Sequence, residues 1–474
     1  MTESPKHVDG DRPRSPGDVE SWPRKGRDSR TLLEELIKFE RMSKYDLYGQ
    51  NVFDEGVHMT SSAAIPWADG VRSFAREAVS RFIHGQNWMT GHGVRLMEQQ
   101  VIAMMAELFN GRDAVGRITY GGTESNLSAV VTALALAFFR ENPNLQESSK
   151  GDFRQLLAGK ASFNMRSHSV VMPLHSHYSF YKACLLFGLE PIIVPPVEGS
   201  LATVDPAAIA AAVRDDTILI VGTAGSWPYG TIDPIKEMSE IALGNEIPMH
   251  VDACFGGYIL PFLELAGYYD EPLEPWDFRN RGVTTISADC HKNGMAPPPA
   301  STLLWRTPDL REIATLFMLP DGILSGSKGA GPYAATWTTI QSIGLDGYIQ
   351  LARHSMKLCE EAKAGILSIP GMKIVPGSRC NVFCAYSDTY DLRPVLVEMT
   401  KGGWQIPPQE MPGMAGVMGM GIATMPSNDG YIGQLVVDLR EAIKRAAVPL
   451  GSVHADYPVE AYGLDLAVYP SHPV

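Results

Sequence analysis

Short apolar runs alternate with helical patterns through the middle of this chain. Six runs have the length and apolar content of buried strands: Val170–Met172, Ile192–Val194, Ile218–Val221, Met249–Val251, Val283–Ile286 and Thr302–Trp305. Segments with helical spacing of apolar residues separate most of them, at 178–187, 206–213 and 235–243. This alternation predicts a mostly parallel sheet with helices on both faces, in which ligands bind at the carboxyl ends of the strands.

The regions on either side carry their own patterns. Residues 1–30 are polar and charged and predict a disordered arm, and the segment 31–95 begins with one plausible helix at 31–42. We predict a large domain over 96–335, followed by an interdomain helix and a small α+β domain over 336–474. The further predicted elements are helices at 96–109, 333–358, 393–401 and 432–447, and strands near 372–375, 381–385 and 404–406.

Composition narrows the functional class. With 45% hydrophobic and 20% charged residues, the 474-residue chain has the composition of a soluble globular protein. Its net charge of −13 argues against nucleic acid as a partner. The longest apolar stretch, 127–139, is too short for a bilayer, so no membrane span is expected.

The six cysteines indicate a reduced protein. None forms a CxxC pair, and their wide spacing does not suggest a zinc site. Cys380 and Cys384 are spaced like metal ligands, but no histidine or further cysteine follows nearby, and two small buried residues on a strand are the favoured interpretation. We therefore expect free thiols, no metal, and a cytoplasmic location.

An acid and a lysine follow two of the predicted strands. Asp252 comes directly after the run 249–251, where a buried carboxylate is costly unless it is paired. A protonated ring nitrogen of a cofactor is one such partner, and a nearby arginine is the alternative. Lys292 stands beside His291 after a later strand, and desolvation near other cations would lower the pKa of its amine, as Schiff-base chemistry requires. A surface lysine is the alternative interpretation.

Two further segments offer groups to an anion and to a planar ring. Gly121 and Gly122 precede Thr123 at the start of a predicted helix, where the backbone can approach an anion and helix N–H groups point outward. A plain glycine turn capped by the threonine is the alternative. His177 follows the strand at 170–174 and would either stack on an aromatic cofactor or cap the next helix.

These motifs resemble, in order and spacing, the pyridoxal-phosphate-dependent group II decarboxylase family and, within it, the sphingosine-phosphate lyase branch. The resemblance covers roughly residue 96 to the end of the chain. Each motif alone is weak, and their shared order is specific: GGTESN (121–126), HYSFYKA (177–183), GTIDP (230–234), HVDACFGG (250–257), SADCHK (287–292), GS (326–327) and KGGW (401–404). The resemblance implies an α/β enzyme of fold type I, with a mostly parallel seven-stranded sheet in the large domain and a small α+β C-terminal domain.

The resemblance also implies the catalytic residues. Lys292 would form the Schiff base with pyridoxal 5'-phosphate, Asp252 would bind the pyridinium nitrogen, and His177 would stack on the ring. Tyr229 lies where lyase relatives often place an active-site tyrosine.

Phosphate binding carries over in the same way. Gly122, Thr123 and His291 would hold the phosphate of the cofactor. Gly326 and Ser327 resemble a loop that reaches the phosphate in the neighbouring subunit, which implies a homodimer with shared active sites.

The sequence departs from the lyase branch where that branch binds substrate. Lyases of this branch typically read YGYAPKG after the Schiff-base lysine, whereas this chain reads NGMAPPP at 293–299. Pro298 replaces a lysine that is linked to the substrate phosphate, and proline cannot form that charge-assisted bond. The NPLHPD-like run is also missing, with HGQNWM at 84–89, and the GSRPG loop becomes GSKGAG at 326–331. We therefore expect a substrate other than a long-chain base phosphate.

Two reactions at the α-carbon of a small amine or amino acid fit these motifs. The first is a retro-aldol carbon–carbon lyase that releases an aldehyde, and the second is an amino-acid decarboxylase that releases CO₂. An aminotransferase fits the SADCHK context less well, and a non-catalytic relic would not need Lys292, Asp252 and His177 together.

Overall fold

The structure, a computed structural model, describes residues 30, 58–59, 69–83, 92–148, 159, 163–197, 200–318, 321–411, 414 and 416–452. The chain divides into the units Met1–Val57 and His58–Val474, and every element below belongs to the second. The predicted arm, apart from Arg30, and the predicted helix at 31–42 lie outside the described residues.

Strands and helices alternate through the central region as its apolar pattern predicts. The strands are β1 (His58–Met59), β2 (Val115–Thr119), β3 (Ser169–Pro173), β4 (Glu190–Val194), β5 (Thr217–Thr223), β6 (Met249–Asp252), β7 (Val283–Ala288), β8 (Ser301–Trp305), β9 (Met372–Ile374), β10 (Val382–Ser387), β11 (Tyr390–Asp391), β12 (Trp404–Gln405), β13 (Pro408–Glu410), β14 (Met418–Ala423) and β15 (Val448–Pro449). The helices are α1 (Asp69–Arg81), α2 (His92–Leu108), α3 (Gly122–Glu141), α4 (Pro143–Ser148), α5 (Tyr178–Phe187), α6 (Pro206–Ala212), α7 (Ile235–Gly244), α8 (Leu260–Leu265), α9 (Pro308–Phe317), α10 (Ala330–Leu367, interrupted at Gly344), α11 (Arg393–Lys401) and α12 (Ile432–Ala446).

Seven strands form one sheet, in the order β2-β8-β7-β6-β5-β3-β4. The neighbouring pairs from β7 to β4 are parallel, whereas β8 runs antiparallel to both β2 and β7. Asp252 at the end of β6 lies opposite Ser287 of β7, so the carboxyl ends of these two strands meet at one edge of the sheet. The predicted α/β fold with a mostly parallel seven-stranded sheet is confirmed.

Helices cover both faces of this sheet. Val171 and Ile220 pack in a cluster with residues of α2, α6 and α7, whereas Val170 and Leu219 pack with residues of α3 and α5. Because successive residues of a strand point to opposite faces, these two clusters lie on the two sides of the sheet. A sheet that is buried on both faces needs continuous apolar strands, which is why the central runs are visible in the sequence.

A second, antiparallel sheet lies in the C-terminal region, in the order β13-β14-β10-β9. Its apolar side chains pack with residues of α10, α11 and α12 in a separate cluster. This arrangement confirms the α+β character of the region, while the domain limits at 96–335 and 336–474 stay predictions. The pattern does not predict α1, α8, α9, β13 or β14. The strand Met418–Ala423 begins with two Met-Gly pairs, and Ile422 is its single β-branched residue, so it has little of the composition typical of strands.

Helix α3 is the most apolar long helix of the described residues. By length and composition it could cross a membrane, but most of it is buried in the fold. It contacts strands β5, β7 and β8 and helices α5 and α9, which is the environment of a core helix.

Candidate active site

The predicted site segments follow the ends of four strands of the large sheet. Gly122 follows β2, His177 follows β3, Asp252 ends β6, and Lys292 follows β7. Strand β2 runs in the same direction as β7, because both are antiparallel to β8. All four segments therefore emerge at the same edge of the sheet, where α/β proteins bind their ligands.

Asp252 is buried and is held by neutral donors. Its Oδ2 accepts a hydrogen bond from Asn126 Nδ2 at 2.8 Å, and its Oδ1 accepts one from the backbone N–H of Cys254 at 2.9 Å. Burial alone would raise the pKa of this carboxyl, but attraction to His177 and the Cys254 contacts outweigh it and hold the pKa below its usual value. Among the described residues it makes no ion pair with a lysine or arginine, which argues against the arginine alternative.

The sequence reasoning missed the groups that orient this acid. Asn126 Oδ1 accepts hydrogen bonds from Ser287 Oγ at 2.8 Å, and His250 Nε2 lies 3.2 Å from the same oxygen. His250 is fully buried, with Nδ1 2.9 Å from Thr285 Oγ1, and burial lowers its pKa to about 4. Asn126, His250 and Ser287 lie inside the quoted motifs, which was the one signal that could have found them.

His177 caps α5 and faces the same site. Its Nδ1 accepts a hydrogen bond from the backbone N–H of Ser179, and it lies 2.8 Å from Ser179 Oγ. Burial lowers its pKa to about 4 against the opposing pull of Asp252, so the imidazole is uncharged at neutral pH. The capping alternative is therefore correct, and a neutral ring is also suited to stacking, which stays a prediction.

Lys292 is largely buried and ion-paired. Its side chain is 17% exposed, and its Nζ lies 2.9 Å from Asp289 Oδ2, so the surface-lysine alternative is wrong. Burial lowers the pKa of the amine, but Asp289 and then Cys254 outweigh this effect and the net shift is upward. The prediction of a lowered pKa is wrong because it counted His291 as a cation and ignored the acid three residues before the lysine.

The glycine turn before α3 is tightly enclosed. Gly121 has a φ of +96° and is the N-cap of α3 without a side-chain cap, so the threonine-capped turn is not what forms. A Cβ at Gly122 would lie 2.6 Å from Cys254 Sγ and 2.8 Å from Asp289 Oδ1, which leaves room only for glycine. The first N–H groups of the helix, including that of Thr123, have no partner within the helix.

His291 lies beside this turn. Its Nδ1 donates to the Ala300 carbonyl at 2.7 Å, and its Nε2 lies 3.8 Å from Asp289 Oδ2. A Cβ at Gly121 would come within 3.7 Å of the imidazole. The structure therefore brings together the glycines, Thr123 and His291 that were predicted to hold a phosphate.

The loop with Gly326 and Ser327 is exposed, and the residue that follows it is buried. Lys328 has a fully buried side chain whose Nζ pairs with Glu124 Oε1 at 3.0 Å. The other oxygen of Glu124 accepts the Tyr120 N–H at 2.6 Å, and the Ser325 N–H donates to Oε1 at 2.9 Å. The loop is therefore fixed to the glycine turn of its own chain while Gly326 and Ser327 face outward.

Tyr229 is buried in an apolar cluster with Ala202, Val375 and Met411. Its ring centroid lies 6.5 Å from that of His175, which pairs with buried Asp233 at 2.9 Å. Its predicted catalytic role stays a prediction.

The residue after the lysine connects the site to the C-terminal region. Asn293 donates to the Phe255 carbonyl at 2.9 Å and accepts a hydrogen bond from Asn381 Nδ2 at 2.8 Å. Asn381 immediately precedes β10 and also donates to the Thr424 carbonyl at 2.8 Å. No motif or spacing predicted this contact.

These residues fit pyridoxal phosphate. Asp252 is a buried carboxylate that lacks a cationic side-chain partner among the described residues, as a ring-nitrogen ligand requires, and Lys292 lies at the adjacent strand end. Gly122 lies in a turn where a Cβ could not fit, at the amino end of a helix. A mostly parallel sheet that presents an acid, a lysine and a glycine turn at one edge is the arrangement of fold type I pyridoxal-phosphate enzymes.

Sequence comparison identifies the family. The family model described as "Pyridoxal-dependent decarboxylase conserved domain" matches residues 85–384, and the chain belongs to this family. The predicted family and cofactor are confirmed.

Named relatives fall into two groups. The chain is 32% identical to sphingosine-1-phosphate lyase 1 of Rattus norvegicus over 322 residues. The aligned region covers 66% of this chain and 52% of that protein. It is 29% identical over 394 residues to a probable L-aspartate decarboxylase of Thermococcus gammatolerans, covering 81% of this chain and 91% of that protein. The chain thus spans about half the length of the rat lyase.

A solved structure shows the same architecture. The sphingosine-1-phosphate lyase of Burkholderia pseudomallei superposes with a TM-score of 0.75 at 27% identity, over 90% of this chain and 93% of that one.

Proposed function

We propose that this chain is a pyridoxal-phosphate-dependent lyase that breaks one carbon–carbon bond at the α-carbon of an amine or amino acid. Retro-aldol cleavage with release of an aldehyde is the main proposal, and decarboxylation is the alternative. The observation that carries it is the pair of buried groups at adjacent strand ends: Asp252, which has no cationic side-chain partner among the described residues, and Lys292. The likeness to enzymes named as a lyase and as a decarboxylase supports both reactions.

Each residue has a distinct task. Bound pyridoxal phosphate would supply a conjugated ring that delocalises the electron pair of the broken bond. Asp252 remains ionised in its hydrogen-bonded setting and would favour a protonated ring nitrogen. His177, uncharged at neutral pH, would lie against the ring without repelling it.

The amine of Lys292 is the group that can exchange protons and bond to a carbonyl carbon. It lies beside Asp289 and faces Asp252 and His177 in one buried site. Gly122, Thr123 and His291 would orient the cofactor through its phosphate.

The substrate is expected to differ from that of the relatives named sphingosine-1-phosphate lyase. Pro298 is exposed and uncharged, and it stands where the lyase branch has a lysine linked to substrate phosphate. Asn293 is tied to Phe255 and Asn381 rather than free to bind a ligand. These residues support a small amine or amino acid without that phosphate.

We further propose a homodimer with shared sites in the cytoplasm. The exposure of Gly326 and Ser327, next to buried Lys328, supports a contact of this loop with a second copy. Buried free thiols at all six cysteine positions suit a reducing compartment.

The experiment compares the purified protein with Lys292→Ala and with the control Lys182→Ala, which removes an exposed lysine of α5. We expect the parent and the control to turn yellow with pyridoxal phosphate and to be trapped by borohydride at Lys292. A panel of amino acids and 3-hydroxy amines then separates the reactions, because CO₂ marks decarboxylation and an aldehyde marks retro-aldol cleavage. Unchanged turnover in Lys292→Ala would refute the proposal.

A further inference from the structure

Among the described residues, Asp289 is the acid that pairs with the candidate Schiff-base lysine. It follows β7 directly, and its carboxylate is 2% exposed, with Oδ2 2.9 Å from Lys292 Nζ. Among the described residues its other oxygen, Oδ1, has no hydrogen-bond partner. A buried carboxylate oxygen without a partner is costly, so the attraction to the lysine has to hold the side chain in this position.

The glycine turn gives this carboxylate its space. A Cβ at Gly122 would lie 2.8 Å from Asp289 Oδ1 and 2.9 Å from Oδ2. Any side chain at Gly122 would push Asp289 away from Lys292. Gly122 therefore leaves space for the Asp289 carboxylate, in addition to letting the backbone approach an anion as the sequence predicts.

The two acids that face Lys292 have different tasks. Asp252 has its oxygens occupied by Asn126 and the Cys254 N–H, whereas Asp289 has the lysine as its ion-pair partner. Among the described residues the amine also faces Cys254 and His177, and the His291 imidazole lies 3.8 Å from the same Asp289 oxygen. Cys254 and His177 are uncharged at neutral pH, since burial raises the pKa of the thiol and lowers that of the imidazole.

We propose that Asp289 is a positioning residue that holds the Lys292 ammonium at the strand end and takes its proton when the amine reacts. This inference rests on the proposed function, because it takes Lys292 as the amine that binds the cofactor. One proton passes from Nζ to Oδ2, so that an ammonium and a carboxylate become an amine and a carboxylic acid. No other reactant is needed, and the neutral amine is the nucleophilic form.

The test measures Lys292 in protein from which cofactor has been removed. An amine-reactive reagent is applied at a series of pH values, and the pH of half-maximal labelling at Lys292 is read by mass spectrometry. In Asp289→Asn we expect this midpoint to fall by at least about one pH unit, which raises the free-amine fraction about tenfold below the midpoint. Burial then acts on the amine without an opposing carboxylate.

The matched control is Asp277→Asn. It neutralises a buried acid whose ion-pair partner is Arg279 rather than a lysine. Its labelling midpoint at Lys292 is expected to equal that of the parent. An unchanged midpoint in folded Asp289→Asn would overturn the inference. If that variant does not fold, the pH profile of the parent protein is the test. Labelling of Lys292 that still increases above pH ~10.4, the ordinary pKa of lysine, supports the ion pair. Labelling that is already complete below that pH contradicts the ion pair.

This measurement is independent of the proposed reaction. A chain that fails to bind pyridoxal phosphate but shows the midpoint shift would refute the proposed function and leave the ion pair intact. A chain that binds the cofactor through Lys292 without the shift would refute the role of Asp289 alone.

Discussion

The charge states of Asp252 and His250 at the candidate site follow from their burial and from the groups around them. Asp252 is ionised beside amide, backbone and hydroxyl donors, and His250 beneath it is neutral because it is fully buried. Asn126 connects the two, since it donates to Asp252 and lies 3.2 Å from His250. An acid held in this way can accept a cationic ligand without first losing a protein partner.

The pH dependence of stability follows from His250. Its pKa is about 4 in the folded chain, below the ordinary ~6.5, so below pH 6.5 the unfolded state binds a proton that the folded state does not. Stability is therefore fully present above pH 6.5 and falls as the pH decreases towards 4. Between pH 7 and pH 5 this group should account for a loss of about 2 kcal/mol in the free energy of unfolding.

Denaturant unfolding of the parent and of His250→Gln at both pH values checks this prediction. The difference between pH 7 and pH 5 should be about 2 kcal/mol smaller in the variant. The comparison between pH 7 and pH 8, where this group does not titrate, serves as the control. An equal acid-side loss in both proteins would show that His250 is not held neutral.

At the scale of elements, one buried ion pair joins the loop before α10 to the first turn of α3. Lys328 and Glu124 are both buried, and Glu124 also accepts backbone hydrogen bonds from each of the two segments. Removing one member of such a pair leaves the other charge buried without compensation.

Lys328→Met should therefore lower the free energy of unfolding by about 3–5 kcal/mol. Hydrogen exchange should also increase at 324–329 and 120–124, because both segments lose their common anchor. Lys373→Met is the matched control, since it breaks an exposed pair with Asp388 and should leave stability nearly unchanged. Similar effects of the two substitutions would mean that the buried pair does not hold the loop.

The elements also show what the sequence can and cannot predict. Strands β3, β5, β6 and β8 are buried along their whole length and are largely apolar, so their positions follow from the pattern alone. Four of the six residues of β14 are methionine or glycine, and its burial depends on side chains distant in sequence. The strand-end residues Asp252 and Lys292 follow from motif and topology, but the ion pair with Asp289 and the network around Asn126 required coordinates.

At the scale of the whole molecule, the proposed homodimer makes a prediction about mixed assemblies. A Lys292→Ala chain would still contribute its Gly326–Ser327 loop, and a Ser327→Asp chain would still contribute its lysine. Ser327→Asp places a negative charge where a phosphate is expected, so each variant alone should be inactive. When the two variants are coexpressed in equal amounts, half of the dimers are mixed. Each mixed dimer holds one intact site out of two, so about a quarter of the parent activity should return.

Differently tagged copies allow the mixed dimers to be purified and assayed directly. Mixed dimers without activity would show that each site is built within one chain, and a monomeric parent would exclude sharing altogether.

The contact between Asn293 and Asn381 has a mechanical consequence. Asn293 follows Lys292, the proposed Schiff-base lysine, and is hydrogen-bonded to Asn381 just before β10. One peptide bond therefore separates Lys292 from a residue that contacts the antiparallel layer. A displacement of that layer by an incoming molecule would pull on the main chain at 292–293. Binding of a substrate against the antiparallel layer would in this way change the position of the Lys292 amine.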